Sequence, residues 1–405
     1  MISIDQALQI VLESALRAAP EPVPLADALN LVLAENIASG IDSPPHDKST
    51  VDGYAVVAAD LATGTARLAI LEEITAGDVP HRKVKPGSAT RIMTGAPIPS
   101  GADAVVMIEQ TQIDETAVRP MVEVFDSPLR VGENIMPRGT SLRVGETVLS
   151  ANQTIRPIEV GLLAEIGRTE VLAFRRPQVA ILATGNELVP ANRVPAPGQI
   201  RNSNGPMIRA LVDQAGGVSN DLGIGRDEKE ALATLVREGL HSDVLVLSGG
   251  VSAGVLDLVP EVLEMAGVET VFHRVQLKPG KPLWFGVKRQ PSGNCLVFGL
   301  PGNPVSSLVC FELFVRPVLQ KLRGHKPSGL ERQEGILATE HAQQGQRPTY
   351  FPGVLSIEGA RREVRTLNWQ GSADQRSLTE ANCLIYFPPG DRIFTSGTVV
   401  PIFLL

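Results

Sequence analysis

The segment Val179-Ala-Ile-Leu-Ala-Thr-Gly-Asn-Glu187 joins a short apolar run to a glycine turn, and the same pairing returns twice downstream. Val244-Leu-Val-Leu247 leads into Ser248-Gly-Gly-Val-Ser-Ala-Gly254, and Leu296-Val-Phe298 leads into Gly299-Leu-Pro-Gly-Asn-Pro304. Runs this short and this uniformly apolar suit strands buried on both faces of a parallel sheet. Helical spacing occupies 204–215, 228–239, 256–266 and 303–322, with further strands expected at 218–222, 270–275 and 283–287. The alternation predicts a doubly wound, mostly parallel α/β sheet over 177–325. In such a sheet the turns gather at the carboxyl ends of the strands, where ligands bind. Backbone N–H groups unshielded by side chains can hold an oxyanion there.

Working outward, the flanks read differently. Residues 4–19 carry apolar positions at helical spacing up to Pro20, and Ala26 to Asn36 reads as a second short helix. A Pro-rich loop, 43–54, follows. Across 55–150 short runs (Leu68–Ile70, Ala104–Ile108, Val118–Val124, Thr147–Leu149) are separated by Gly, Pro and Asp turns, an all-β pattern. Helix returns at 153–164, with Pro157 tolerable in its first turn. Beyond Gly324, runs at Gly335–Ala338, Thr349–Leu355, Glu363–Leu367, Cys383–Phe387 and Thr398–Leu404 fit a small β-barrel.

A chain of 405 residues implies two to four domains. Its formal net charge of −7 argues against generic binding to nucleic acid or anionic membrane, which needs a basic field. Any anionic ligand must be met by local cations and backbone dipoles. The first residues lack the basic and apolar regions of a signal peptide, and no apolar run approaches the roughly 20 residues that cross a bilayer. A cytoplasmic location is expected. Cys295, Cys310 and Cys383 are far apart and form no Cys-x-x-Cys, so they read as buried thiols. Walker, Gly-x-Gly-x-x-Gly and His-Glu-x-x-His patterns are absent, and no Ser/Cys–His pairing stands out among the six histidines, which weakens hydride transfer and acyl-enzyme chemistry.

Each candidate residue carries a structural alternative. In Thr184-Gly185-Asn186-Glu187 the glycine permits a tight turn, and Glu187 can face Mg²⁺ or a ligand hydroxyl; an ordinary strand-to-loop reversal is the plain reading. Ser248, Gly249, Gly250, Ser252 and Gly254 offer bare backbone and hydroxyl donors to a phosphate or pterin-like ligand, or simply pack tightly. Asp257, in the first turn of the next helix, can take a metal or cap N–H groups. Pro301, Gly302, Asn303, Pro304 and Ser306 open another helix, with Asn303 suited to the N-cap and Pro304 to the first position. Capping and oxyanion binding are compatible there. Lys278-Pro-Gly-Lys281-Pro282 concentrates two cations on a stiff turn, suiting a tetrahedral oxyanion or a solvated surface turn. Asp227 sits at N-cap geometry before a helix, and Asp52 precedes Gly53 in a turn.

In order, these pieces resemble the molybdopterin molybdenumtransferase family, the MoeA proteins and the gephyrin E domain. The matching stretches are Pro44-Pro-His-Asp-Lys-Ser-Thr-Val-Asp-Gly-Tyr-Ala55, Arg91-Ile-Met-Thr-Gly-Ala-Pro-Ile-Pro99, Gly132-Glu-Asn-Ile135 and Thr184-Gly-Asn-Glu-Leu188. Ser248-Gly-Gly-Val-Ser252, Lys278-Pro-Gly-Lys-Pro282 and Gly299-Leu-Pro-Gly-Asn-Pro-Val305 continue the series over nearly the whole chain. The resemblance implies molybdenum insertion from molybdate into adenylylated molybdopterin, with release of AMP, by a cytoplasmic homodimer. It implies an elongated discontinuous domain for dimerisation (1–47 and 141–176), an inserted β domain (48–140), a MoaB/MogA-like α/β molybdopterin-binding domain (177–325) and a C-terminal barrel (326–405).

By motif position it further assigns Asp52, Thr94, Glu187, Asp227 and Asp257 to acidic or polar active-site positions, the last three as Mg²⁺ ligands. Asp52 and Thr94 are expected to reach the site from the partner subunit. Lys278, Lys281, Pro282, Arg347 and Ser372 are assigned to the molybdate oxyanion. A molybdopterin adenylyltransferase and acceptor molybdoenzymes are the implied partners. Two departures stand out. Ser141 occupies a position where some members carry Asp, so no acid role carries over, and His46 stands where Phe is frequent. A related pterin or nucleotide adenylyltransferase would need only the sheet domain, leaving the flanks without purpose. A gephyrin-like scaffold would ignore AMP, molybdate and tungstate alike.

Overall fold

In a computed structural model the described residues are all except 115, 116, 118, 251–257, 292, 328 and 360. The chain forms two compact units: one of 1–34, 154–156 and 170–405, the other of 35–153 and 157–169.

The first unit is built on a six-stranded sheet in the order Val218–Gly225, Gln178–Thr184, Val244–Ser248, Cys295–Leu300, Trp284–Lys288, Glu269–His273. The first four strands are parallel; Trp284–Lys288 pairs antiparallel with Cys295–Leu300 and with Glu269–His273, so five of the six run one way and the sheet is mostly parallel, as its sequence pattern predicts. The uninterrupted apolar runs serve two cores. Val179, Ile181, Val244, Val246, Leu296 and Phe298 face helices Ile4–Ser14, Asn204–Gln214 and the long helical segment that opens at Pro304. Ala180, Leu182, Leu245, Leu247 and Val297 face helices Lys229–Gly239 and Leu258–Met265. Alternate residues of each strand thus bury into opposite layers, which a polar–apolar alternation could not supply.

The helix from Pro304 contains a π-helical stretch, Phe311–Val315, before resuming as Arg316–Leu322. The barrel closes in the order Arg332–Leu337, Arg361–Thr366, Thr349–Glu358, Cys383–Phe387, Val399–Leu404. Each strand coincides with one of the five apolar runs read after Gly324. All three cysteines are buried and free, and burial pushes the Cys295 and Cys383 thiols up to about 12.

Two helical expectations shorten or fail. The first helix follows a Ser3–Gln6 capping box but ends at Ser14, well before Pro20. Ala26 to Asn36 is not a helix. It holds a 3-10 turn, Leu25–Asp27, then strand Val32–Leu33 in a small sheet with Glu170–Phe174 and Glu21–Pro24. Asn30 takes a φ of 65°, which breaks a right-handed helix, and consecutive Val32 and Leu33 are both fully buried in that sheet.

In the second unit, a six-stranded sheet runs in the order Ala104–Met107, Gly53–Val56, Ser88–Ile92, Ala66–Ile74, Met121–Val124, Thr111–Asp114. It takes in the runs near 68–70, 104–108 and 118–124, whereas Thr147–Leu149 pairs with Ile37–Ala38 in a separate two-stranded sheet.

Candidate functional site

Strand register brings the glycine turns together. Ala183 pairs with Ser248, Thr184 with Gly225, and Ser248 with Leu300, so the carboxyl ends of four parallel strands finish level. The three glycine turns therefore open side by side around a cavity of about 320 Å³ lined by Thr184, Glu187, Ser248, Gly249, Gly302, Asn303 and Pro304. Barrel residues Ala373 and Gln375 contribute to the same wall.

Gly249 has a φ of +90°, and a Cβ there would fall 2.6 Å from the Thr184 carbonyl oxygen. Gly185 is likewise left-handed, at +146°, and a Cβ would meet the Glu187 carboxylate at 2.5 Å. Both turns come this close only because the side chains are missing. The Glu187 carboxylate is folded back over its own turn, exposed, with no hydrogen bond or ion pair among the described residues.

Gly250 continues the Ser248 turn with φ 62°. Ser252, Gly254 and Asp257 lie outside the described residues. Pro301 accepts a hydrogen bond at its carbonyl from Ser307 Oγ, and Ser306 is buried in the first turn of the following helix. Asn303 does hold the N-cap position, but its side chain does not cap. Its Nδ2 donates instead to Ser372 Oγ at 2.9 Å, and the Val305 N–H donates to the Ser372 carbonyl at 3.1 Å. A barrel loop thus docks onto the helix start and takes the cap's partner.

Asp227 departs from expectation too. The N-cap of the helix after it is Glu228, and the Asp227 N–H is held by Asn186 Oδ1 at 3.1 Å. That bond sets Asp227 beside the Glu187 turn with its carboxylate unused and exposed. Among the described residues no group of three His, Cys, Asp or Glu side chains forms a metal cluster.

The lysine turn is pinned to the barrel. The Lys278 N–H donates to the Pro348 carbonyl at 2.9 Å, the Tyr350 N–H donates to the Lys278 carbonyl at 2.8 Å, and Arg347 donates to the Leu277 carbonyl at 2.8 Å. Arg347 and Lys278 therefore share one corner. Pro282 is half-buried behind the exposed Lys281. Neither ammonium forms an ion pair among the described residues. On the other side the Cys310 thiol donates to the Gly280 carbonyl at 3.6 Å, seating the turn on the helix that opens at Pro304. Burial, and secondarily the Lys278 charge, hold the nearby His341 below the usual imidazole value.

Asp52 and Thr94 meet within the second unit. Thr94 donates to Asp52 Oδ1 twice, from its N–H at 2.6 Å and its hydroxyl at 2.7 Å. These bonds, the backbone one first, hold the Asp52 carboxyl below the usual range. They favour the folded unit above the ordinary carboxylate range, and that effect fades as pH falls through the lowered value. In Thr94→Val the hydroxyl bond is lost while the N–H remains, so the Asp52 pKa should rise only partway in a carbon-13 NMR titration. A full return to the ordinary value would contradict the backbone bond. Of the two departures, Ser141 donates its N–H to the Ser43 carbonyl at 2.8 Å and His46 is exposed.

Sequence reasoning passed over Asn204, which lines the cavity from the first position of helix Asn204–Gln214. Its signal was the polar triplet Asn202-Ser203-Asn204 at a helix entry.

Residues 2–167 match the MoeA N-terminal region (domain I and II), 180–321 a probable molybdopterin binding domain, and 334–405 the MoeA C-terminal region (domain IV). A molybdopterin molybdenumtransferase of Staphylococcus aureus is 33% identical over 412 residues, spanning 100% of this chain and 95% of that protein. One from Bacillus subtilis is 33% identical over 410 residues, spanning 100% and 94%. The crystal structure of a molybdopterin biosynthesis MoeA protein from Pyrococcus horikoshii superposes with a TM-score of 0.81 at 30% identity, covering 100% of this chain and 99% of that one. Among the described residues no helix is long and apolar enough to cross a membrane. With likeness of this extent in sequence and in fold, the chain belongs to the MoeA family of molybdopterin molybdenumtransferases and is an enzyme of molybdenum cofactor biosynthesis.

Proposed function

We propose that this enzyme transfers molybdenum from molybdate to the dithiolene of adenylylated molybdopterin and releases AMP. The observation that carries the reading is the cavity of about 320 Å³ framed by level glycine turns, with an uncommitted carboxylate at its edge. Amides of the Gly185, Gly249, Gly250 and Gly302 turns, with Ser248 and Ser306 near them, are assigned to the substrate phosphates. Pro301, Asn303 and Pro304 shape that wall, and Ser252 and Gly254, next in the sequence, are assigned to the same ligand.

Lys278 and Lys281, with Pro282, Arg347 and Ser372, are assigned to the molybdate substrate. Two ammonium groups on one turn, unpaired among the described residues in a chain of net charge −7, suit a tetrahedral dianion.

Mg²⁺ fits the residues present. Glu187 and Asp227 are hard oxygen donors on neighbouring turns, free of other partners among the described residues, and Mg²⁺ is commonly held by one or two carboxylates plus substrate phosphates. Asp257 is assigned as a third ligand. The ion, when bound, would offset phosphate charge during cleavage of the pyrophosphate bond. Asp52 and Thr94 are assigned to the same chemistry, supplied through a homodimer. Acceptor molybdoenzymes and a molybdopterin adenylyltransferase follow as partners in the reaction sequence.

The test is direct. Purified protein supplied with adenylylated molybdopterin should liberate AMP when molybdate is added. AMP release no greater than in the molybdate-free control would reject the reading.

A further inference from the structure

Asn204 is more than 90% buried, with a relative exposure of 8%, although it stands at the mouth of the cavity. Its Nδ2 lies 2.8 Å from Ser248 Oγ and 2.8 Å from the Gly302 carbonyl oxygen. A carbonyl can only accept, so the atom facing Gly302 must be the amide nitrogen, and the network settles the orientation of the amide. The opposite orientation would set two acceptors against each other. The remaining atom, Oδ1, is buried and has no partner among the described residues, which anchor the side chain through its nitrogen.

One consequence concerns Ser248. Its oxygen accepts from the amide, so its own proton must point elsewhere. Among the described residues the hydroxyl donates to no protein group, and Ser248 lines the cavity. We infer that Asn204 is a positioning residue that makes the Ser248 hydroxyl a fixed donor to a phosphate oxygen in the cavity, while tying the Ser248 turn to the Gly302 turn. The inference rests on the proposed function, which supplies the phosphate-bearing ligand. It adds the residue that sets hydrogen-bond polarity at that site. A free hydroxyl rotates and donates or accepts at will; a serine already receiving an N–H has that side taken, and its proton is confined to the directions that remain. That suits an anion and disfavours a cationic or donor-only ligand.

The test uses full-length protein, with AMP and inorganic pyrophosphate as calorimetric probes. Wild type should bind at least one of them. Ser248→Ala and Asn204→Ala should each weaken binding about tenfold, the usual scale for one hydrogen bond to a charged group. In Asn204→Asp the carboxylate would take the serine proton and add a like charge, so the loss should be larger. The double variant Ser248→Ala/Asn204→Ala should lose clearly less than the product of the two single losses, because one residue acts in part through the other. Should Asn204→Ala fail to fold, the isosteric Asn204→Asp carries the test. Losses that simply multiply, or an Asn204 variant that binds like wild type, would overturn the inference and leave the functional reading intact. Wild type binding neither probe would overturn both.

Discussion

Replacing Lys278 and Lys281 together by glutamine should cut molybdate-dependent AMP release by about a thousandfold or more. Losing a single electrostatic contact to the reacting charge commonly costs about 10²–10³ in rate, and here two full charges go at once. The architecture makes the result interpretable. The turn is held by backbone bonds, from the Lys278 N–H to Pro348 and from the Tyr350 N–H to Lys278, and by the Arg347 bond to Leu277. Glutamine keeps all of these and most of the side-chain length. Neither ammonium is paired among the described residues, so its removal strands no buried carboxylate. The thermal midpoint should therefore hold while the KM for molybdate rises and turnover falls. Turnover within tenfold of wild type would sink the oxyanion assignment.

Gly249→Ala should lower the same activity about a hundredfold. The φ of +90° costs an L-residue of the order of 1–2 kcal/mol. The new methyl would also meet the Thr184 carbonyl oxygen at 2.6 Å, a backbone atom in a central strand that cannot swing aside. The turn has to move, and an amide displaced by about an ångström can cost about 10²-fold when it positions a reacting group. Gly302→Ala is the contrast. Its φ is ordinary and, among the described residues, an added carbon would meet only Gly249 Cα, at 3.8 Å, so a loss of several-fold is expected. Measuring AMP release beside the unfolding midpoint separates a displaced turn from a collapsed sheet. Equal losses in the two variants would contradict the strain argument.

Much of this fold could be read from local pattern. Each barrel strand falls on an apolar run visible after Gly324, and the runs before the glycine turns are strands of the parallel sheet. Where local pattern misled, a distant partner intervened. The Ala26 to Asn36 stretch has helical spacing, yet Val32 and Leu33 pair with Ala173 and Phe174, far along the chain. Asn303 has the residue type and position of a cap, but Ser372 on the barrel claims its side chain. Asp227 looked like a cap because the next residue's backbone geometry is invisible in sequence; the cap is Glu228.

The amino-acid order by itself determined the strands, the glycine turns and the ordered motifs that mark the family, because periodicity and turn chemistry act over a few residues. Only the tertiary structure decided that three turns finish level, that the Glu187 and Asp227 carboxylates are left uncommitted, and that Asn204 sets the polarity of Ser248. Those outcomes depend on register and on hydrogen bonds spanning 44 and 98 residues of chain, and no local pattern encodes which distant acceptor an amide will find.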